Sequence, residues 1–149
     1  MSISDSSQRE CALSLDISCV IRAPAGSGKT ELLIQRVLVA MASVQSASQC
    51  LILTFTQKAA SELRERLSRV FLCDRQSLLS KTQELKEKVL NHARSQRWSM
   101  TTFWQQVNIQ TLDAYFSKLD REFSSDDSQT DFKITLSPAL QTEKIVDAF

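Results

Sequence analysis

Short apolar runs alternate along the chain with longer stretches of helical periodicity. Residues 4–15 place Cys11, Ala12 and Leu15 at helical spacing and read as a short helix, with Ser6 or Ser7 as possible N-caps. The apolar run 17–21 predicts a buried strand over residues 18–22. From Gly28 to about Ala42 the sequence is apolar nearly all round, as expected of a helix packed between a sheet and another layer. Residues 43–49 are polar without periodicity and end that helix. A second strand-like run covers residues 51–55, and Ala59, Ala60, Leu63, Leu67, Val70 and Phe71 then mark a helix from Lys58, with Thr56 as its N-cap. Residues 75–97 are polar but helical in propensity, with a stripe at Leu78, Leu79, Leu85, Val89 and Leu90. The aromatic stretch 98–104 either packs a core edge or stacks on bases. Residues 107–111 read as a third strand and 112–123 as a helix whose first turn Asp113 favours electrostatically. A polar, acidic connection (124–131) leads to an extended segment (132–136), and Ser137-Pro138 opens a helix expected to run to Phe149. The chain stops inside that helix, so it reads as the front part of something longer. Strand, helix, strand, helix at this spacing predicts parallel βαβ units and an α/β fold.

Composition narrows the class without deciding function. Of 149 residues 42% are hydrophobic and 23% charged, which suits a globular protein of one core. No apolar run reaches membrane-spanning length and the first ten residues lack a signal-peptide core, so no membrane association and cytoplasmic residence are expected. A net charge of +1 gives no argument for nucleic acid, which must rest on local patches. The four cysteines, Cys11, Cys19, Cys50 and Cys73, are irregularly spaced with His92 as the one possible imidazole partner, so reduced and mostly buried thiols are expected.

Both glycines of the chain fall in one place, Ala-Pro-Ala-Gly-Ser-Gly-Lys-Thr at residues 23–30, between the first strand and the first long helix. Such a loop makes a polyphosphate pocket: glycines let backbone N–H groups approach the oxygens and the helix N-terminus adds its dipole. Lys29 supplies a point charge to the β- and γ-phosphates, and Thr30 offers a hydroxyl to Mg²⁺. The pattern departs from G-x-x-x-x-G-K-[ST] at its first position, where Ala23 stands. Further on, Lys58, Arg64, Arg66 and Arg69 alternate with Glu62 and Glu65, which reads as a basic functional face or as a solvated, salt-bridged surface.

The ordered set resembles the amino-terminal part of superfamily 1 DNA helicases of the UvrD/Rep class, most closely the RecB and AddA helicase–nuclease branch. "APAGSGKT" is similar to motif I, "LILTFTQKAASELRERL" (51–67) to motif Ia and "VNIQTLDAYFSKL" (107–119) to motif Ib. Gln8 in "SSQRECAL" is similar to the Q motif, and "DFKITLSPALQTEKIVDAF" to the start of the inserted 1B region. The resemblance implies a P-loop NTPase (RecA-like) parallel sheet with flanking helices, incomplete in this chain. Residues 1–123 would be the first part of domain 1A, and 124–149 a linker and the start of 1B. It implies ATP and Mg²⁺ as cofactors, held by Gln8, Ala25, Gly26, Ser27, Gly28, Lys29 and Thr30, with Gln8 reading adenine through its amide, Lys29 and Thr30 serving catalysis, and Thr30 holding the metal.

The same resemblance lays single-stranded or duplex-end DNA against Thr54, Phe55, Thr56, Lys58 and Thr111, while Asp113 stands where histidine is common and cannot donate to phosphate as histidinium would. Arg36 matches a recurrent arginine of the first long helix, and Arg64, Arg66 and Arg69 are expected to be structural. The implied protein is an ATP-dependent DNA helicase, or the helicase-bearing subunit of an exonuclease, with a role in repair or recombination. Its possible partner is a second subunit. A working ATPase of this kind needs an acidic pair after an apolar strand, and Glu122 and Asp126-Asp127 follow no such run, so these residues alone are expected to be inactive. A small P-loop phosphotransferase, or a nucleotide- and DNA-binding module that does not hydrolyse, are the other classes compatible with the residues.

Overall fold

The computed structural model describes residues 5–72, 78–124 and 143–147. Its elements follow the order α1 (Asp5–Leu13), β1 (Ser18–Arg22), α2 (Lys29–Met41), β2 (Leu51–Thr54), α3 (Gln57–Leu72), α4 (Ser80–Ser95), β3 (Asn108–Thr111), α5 (Leu112–Ser124) and β4 (Glu143–Asp147). Single 3₁₀ turns at Ala47–Gln49 and Phe103–Gln106 precede β2 and β3. The chain is thus mixed α/β with parallel strands and flanking helices.

The expected single sheet is not formed among the described residues. β2 pairs with β3, aligning Leu51 with Asn108 and Thr54 with Thr111, whereas β1 pairs with β4, aligning Ser18 with Glu143 and Arg22 with Asp147. The helix expected to run from Ser137 to Phe149 is therefore corrected at residues 143–147, where Lys144-Ile145-Val146 forms a strand. Two consecutive β-branched residues favour the extended state, and β1 offers a backbone edge that a helix cannot use. The expected extended segment 132–136, the Ser137-Pro138 cap and Cys73 lie outside the described residues.

The main core is built on one side of the strands. Ile34, Leu38 and Met41 of α2, Leu67 of α3, Val89 of α4 and Phe103 are each at most 2% exposed. A smaller cluster joins Ala12 and Leu13 of α1 to Leu32 of α2, with Cys19 and Ile21 of β1 against it. Helix α2 belongs to both clusters and ties the two strand pairs together. The first two strands read as fully buried, but β1 and β2 each have one open face: Val20, Leu51 and Leu53 are 39–44% exposed. Only Cys50 of the three described thiols is buried, correcting the expectation of mostly buried cysteines; its burial pushes the thiol above the ordinary range.

Local signals explain most boundaries. The Thr56 hydroxyl accepts the Ala59 N–H at 3.1 Å and caps α3, as expected. Ser6 and Ser7 instead lie inside α1, which begins at Asp5. The residues between α2 and β2 carry a capping box between Ser46 and Gln49. With both glycines in the loop, α4 ends on Arg97 in the left-handed region (φ 57°), and Trp98 N–H reaches Ala93 O at 2.9 Å as in a Schellman motif. The aromatic stretch belongs to the core: Phe71 stacks on Trp104 with centroids 5.3 Å apart and meets Phe103 edge-on at 4.9 Å, while Trp98 donates to Gln45 O at 2.8 Å.

Candidate nucleotide and nucleic-acid sites

The glycine-rich segment bridges β1 and α2. Gly26 (φ 80°) and Gly28 (φ 85°) both take left-handed backbone that a side chain would strain, and Gly28 is the N-cap of α2. Ala25 and Gly26 are exposed on the loop, and Ser27 braces it by donating its hydroxyl to Pro24 O at 2.8 Å. The Lys29 ammonium donates to the carbonyls of Ala23 and Pro24, each at 2.5 Å, so it folds back over its own loop. What remains is a hollow of about 10 Å³, room for roughly one water, lined by Arg9, Ser27, Gly28 and Lys29 among others. These two carbonyls occupy two of the three N–H donors of the ammonium. Thr30 is half-buried in the first turn of α2, where the first N–H groups lack helical acceptors.

The donor set fits a polyphosphate. Two left-handed glycines, a helix N-terminus and a lysine that already satisfies itself with oxygen atoms are the groups such an anion uses. For Mg²⁺ the Thr30 hydroxyl would supply one oxygen, and no group of three or more potential metal-binding side chains occurs among the described residues. Glu122 forms an exposed i,i+4 pair with Lys118 at 3.7 Å, and Asp126-Asp127 lies outside the described residues.

Gln8 is half-buried on α1 and is not among the residues lining the loop hollow, whereas its neighbour Arg9 is. Arg9 donates from Nη2 to Ser27 O at 3.2 Å. Arg36 also acquires a definite role: its guanidinium donates to the carbonyls of Ala12, of Ser14 at 2.8 Å and of Ile17 at 3.1 Å, closing the C-terminal end of α1 onto α2.

A second cluster forms at the C-terminal ends of β2 and β3. The register pairs Thr54 with Thr111, so segments far apart in sequence share one ledge from which α3 and α5 start. The Thr111 hydroxyl accepts the Ala114 N–H at 3.2 Å and is buried; that of Thr54 donates to Thr56 O at 3.0 Å. Lys58 and Thr56 are exposed, and Phe55 stands 87% exposed. A capping threonine oxygen that accepts an N–H still has its own proton to donate, which leaves Thr56 suited to a phosphate oxygen. Thr54, whose proton is already committed, instead shapes the turn. Arg64 donates to Ile109 O and so fastens α3 to β3, and Arg69 pairs with Glu65, in line with their expected structural roles.

Known helicases are similar in sequence to this chain. An ATP-dependent helicase/nuclease subunit from Pediococcus pentosaceus is 30% identical over 118 residues, 78% of this chain and 9% of that protein. The like-named protein from Lactobacillus acidophilus is 33% identical over 124 residues, 82% of this chain and 8% of its own length. The ATP-dependent DNA helicase UvrD1 of Mycobacterium leprae is 46% identical over 65 residues, 42% of this chain and 8% of that protein. The chain thus spans less than a tenth of the length of these relatives. No solved structure matches. A family model described as UvrD/REP helicase N-terminal domain matches residues 4–148, nearly the full length, and the chain belongs to that helicase family.

Proposed function

We propose that this chain is the ATP- and single-stranded-DNA-binding front part of an ATP-dependent DNA translocase, a helicase–exonuclease subunit of the AddA or RecB kind with a role in DNA repair or recombination. The observation that carries the reading is the ledge at Thr54 and Thr111: two segments resembling DNA-contacting motifs meet in register at the C-terminal ends of parallel strands. Open α/β proteins place ligands there. In this reading residues 1–123 are the first part of a RecA-like domain, and 124–149 a linker and the start of an inserted one. Cytoplasmic residence and a second subunit belong to the same proposal.

On binding, triphosphate would displace the Ala23 and Pro24 carbonyls from Lys29, and the first N–H groups of α2 would take its oxygens. Thr30 would hold Mg²⁺, whose chemistry is to neutralise charge on the β- and γ-phosphates. Gln8 would reach the base. Phe55 would offer a stacking face to a nucleobase, and Thr56 and Lys58 would position the phosphodiester backbone. Transition-state arginines and the acidic pair would come from elsewhere, so these 149 residues bind nucleotide weakly and do not turn it over.

The test is fluorescence anisotropy with a labelled oligothymidylate, run beside phosphate release with Mg²⁺ and ATP. Lys58→Ala should weaken binding about equally for all sequences and lower the salt slope by about one, as loss of one phosphate contact requires. Phosphate release should stay at the level of Lys29→Ala. DNA binding that ignores Lys58 would sink the ledge assignment. Robust turnover would show that an acid within these residues suffices. ADP formation that depends on a small metabolite and ignores DNA would favour a phosphotransferase instead.

A further inference from the structure

We propose that Arg9 is a second cation of the phosphate cradle, delivered by α1 and binding a phosphate oxygen of the nucleotide alongside Lys29. The proposal rests on the nucleotide reading above and adds to it a residue outside the glycine-rich loop. Three observations converge on it. Arg9 Nη2 donates to the Ser27 carbonyl at 3.2 Å, so α1 holds the loop through a charged hydrogen bond. Both terminal guanidinium nitrogens lie 3.8 Å from where a Cβ on Gly28 would sit, directly over the N-cap of α2. Arg9 is also a shared wall: it lines the small hollow inside the loop and a larger cleft of about 340 Å³ beside it, bounded by Glu10, Leu13, Gln35, Leu79 and Lys81.

The chemistry favours phosphate as the target. A guanidinium carries five N–H donors in a planar fork, enough to hold a loop carbonyl and an anionic oxygen in one geometry. A Mg²⁺-bound triphosphate retains negative charge that one lysine leaves partly uncompensated, and charge-assisted bonds from arginine to phosphate are among the stronger polar contacts. A Cβ on Gly28 would make ordinary van der Waals contact with the guanidinium, so the need for glycine there rests on its φ, while the contact distance places Arg9 beside the helix N-terminus. Because Arg36 fastens the C-terminal end of α1 to α2, the helix that carries Arg9 is anchored to the helix that the loop opens.

Isothermal titration calorimetry on the 149-residue chain tests this with three probes: Mg²⁺–ATP, inorganic tripolyphosphate and adenosine. Arg9→Gln should weaken ATP and tripolyphosphate alike, by about tenfold, and leave adenosine unchanged. Arg9→Lys should weaken both by less than Arg9→Gln. An unchanged urea midpoint in the two variants separates loss of binding from loss of fold. If Lys29→Ala loses nucleotide while Arg9→Gln binds like wild type, the proposal falls and the nucleotide reading stands. If Arg9→Gln loses ATP but not tripolyphosphate, the guanidinium meets the base and the proposal is overturned. Absence of binding by the unaltered chain overturns both.

Discussion

Arg36 shows how a single side chain decides local architecture here. Its fork holds the carbonyls of Ala12, Ser14 and Ile17, groups at the end of α1 and on the way into β1 that have no helical partner. Hydrogen bonds to a charged donor contribute about 1.5–3 kcal/mol each, less where solvent competes, and a half-buried arginine is partly screened. Arg36→Ala should therefore lower unfolding free energy by about 2 kcal/mol, seen as a lower urea midpoint at unchanged slope. Arg36→Lys should recover less than half of that, because a point charge on a flexible stem cannot span three carbonyls. A loss below about 0.5 kcal/mol in the alanine variant would mean that water replaces the guanidinium and that α1 is held by Ala12 and Leu13 packing alone. Exposed ion pairs are a different matter. Glu84, held below the usual carboxylate range by hydrogen bonds from Lys88 and Lys81, is open to solvent, so its pairing marks a solvated helix face.

At the scale of elements, the link between α2 and α4 is polar and buried. Gln35 donates from Nε2 to Thr82 Oγ1 at 3.0 Å, and the Thr82 hydroxyl donates onward to the Glu31 carboxylate, one residue past Thr30. With Thr82 1% and Gln35 5% exposed, Thr82→Val keeps the shape but leaves an amide and a carboxylate without their shared partner. The expected cost is about 2 kcal/mol by urea unfolding, with Thr82→Ser recovering most of it; equal stability of the valine variant would show that water enters the gap. This connection was invisible in the sequence, where residues 75–97 showed only an apolar stripe. Five helices and three strands were legible because caps, periodicity and β-branched runs are local signals. β4 was not, since Ser137-Pro138 is a local helix signal while the edge of β1 that captures residues 143–147 lies at the other end of the chain. The loop at Lys29 and Thr30 was legible from its glycines, and the threonine ledge only through its resemblance to motifs Ia and Ib. Arg9 was hidden because an arginine on a polar helix reads as solvated until the loop folds against it.

On the scale of the whole molecule, the core formed by the described residues has one side. Parallel strands with apolar residues at every position are usually covered on both faces, yet here Ile52 faces the core while Leu51 and Leu53 stay 44% and 39% exposed on the opposite face. Phe55, following β2, adds a nearly free aromatic ring, and Val20 of β1 is 39% exposed. An apolar strand face left open binds hydrophobic dyes and contributes little to the stability of the chain that carries it, because its side chains keep much of their contact with water in the folded state. Leu67, 1% exposed on the covered side, is the opposite case. The double variant Leu51→Thr, Leu53→Thr should therefore lower dye fluorescence by at least about half while changing unfolding free energy by under about 1 kcal/mol, since threonine supplies a β-branch that suits a strand. Leu67→Ala should cost about 2–5 kcal/mol by the same urea measurement and leave a cavity among α3, α4 and the aromatic cluster. If the threonine pair costs as much as Leu67→Ala, the outer face of β2 is already covered in solution and the one-sided core is not the state that folds.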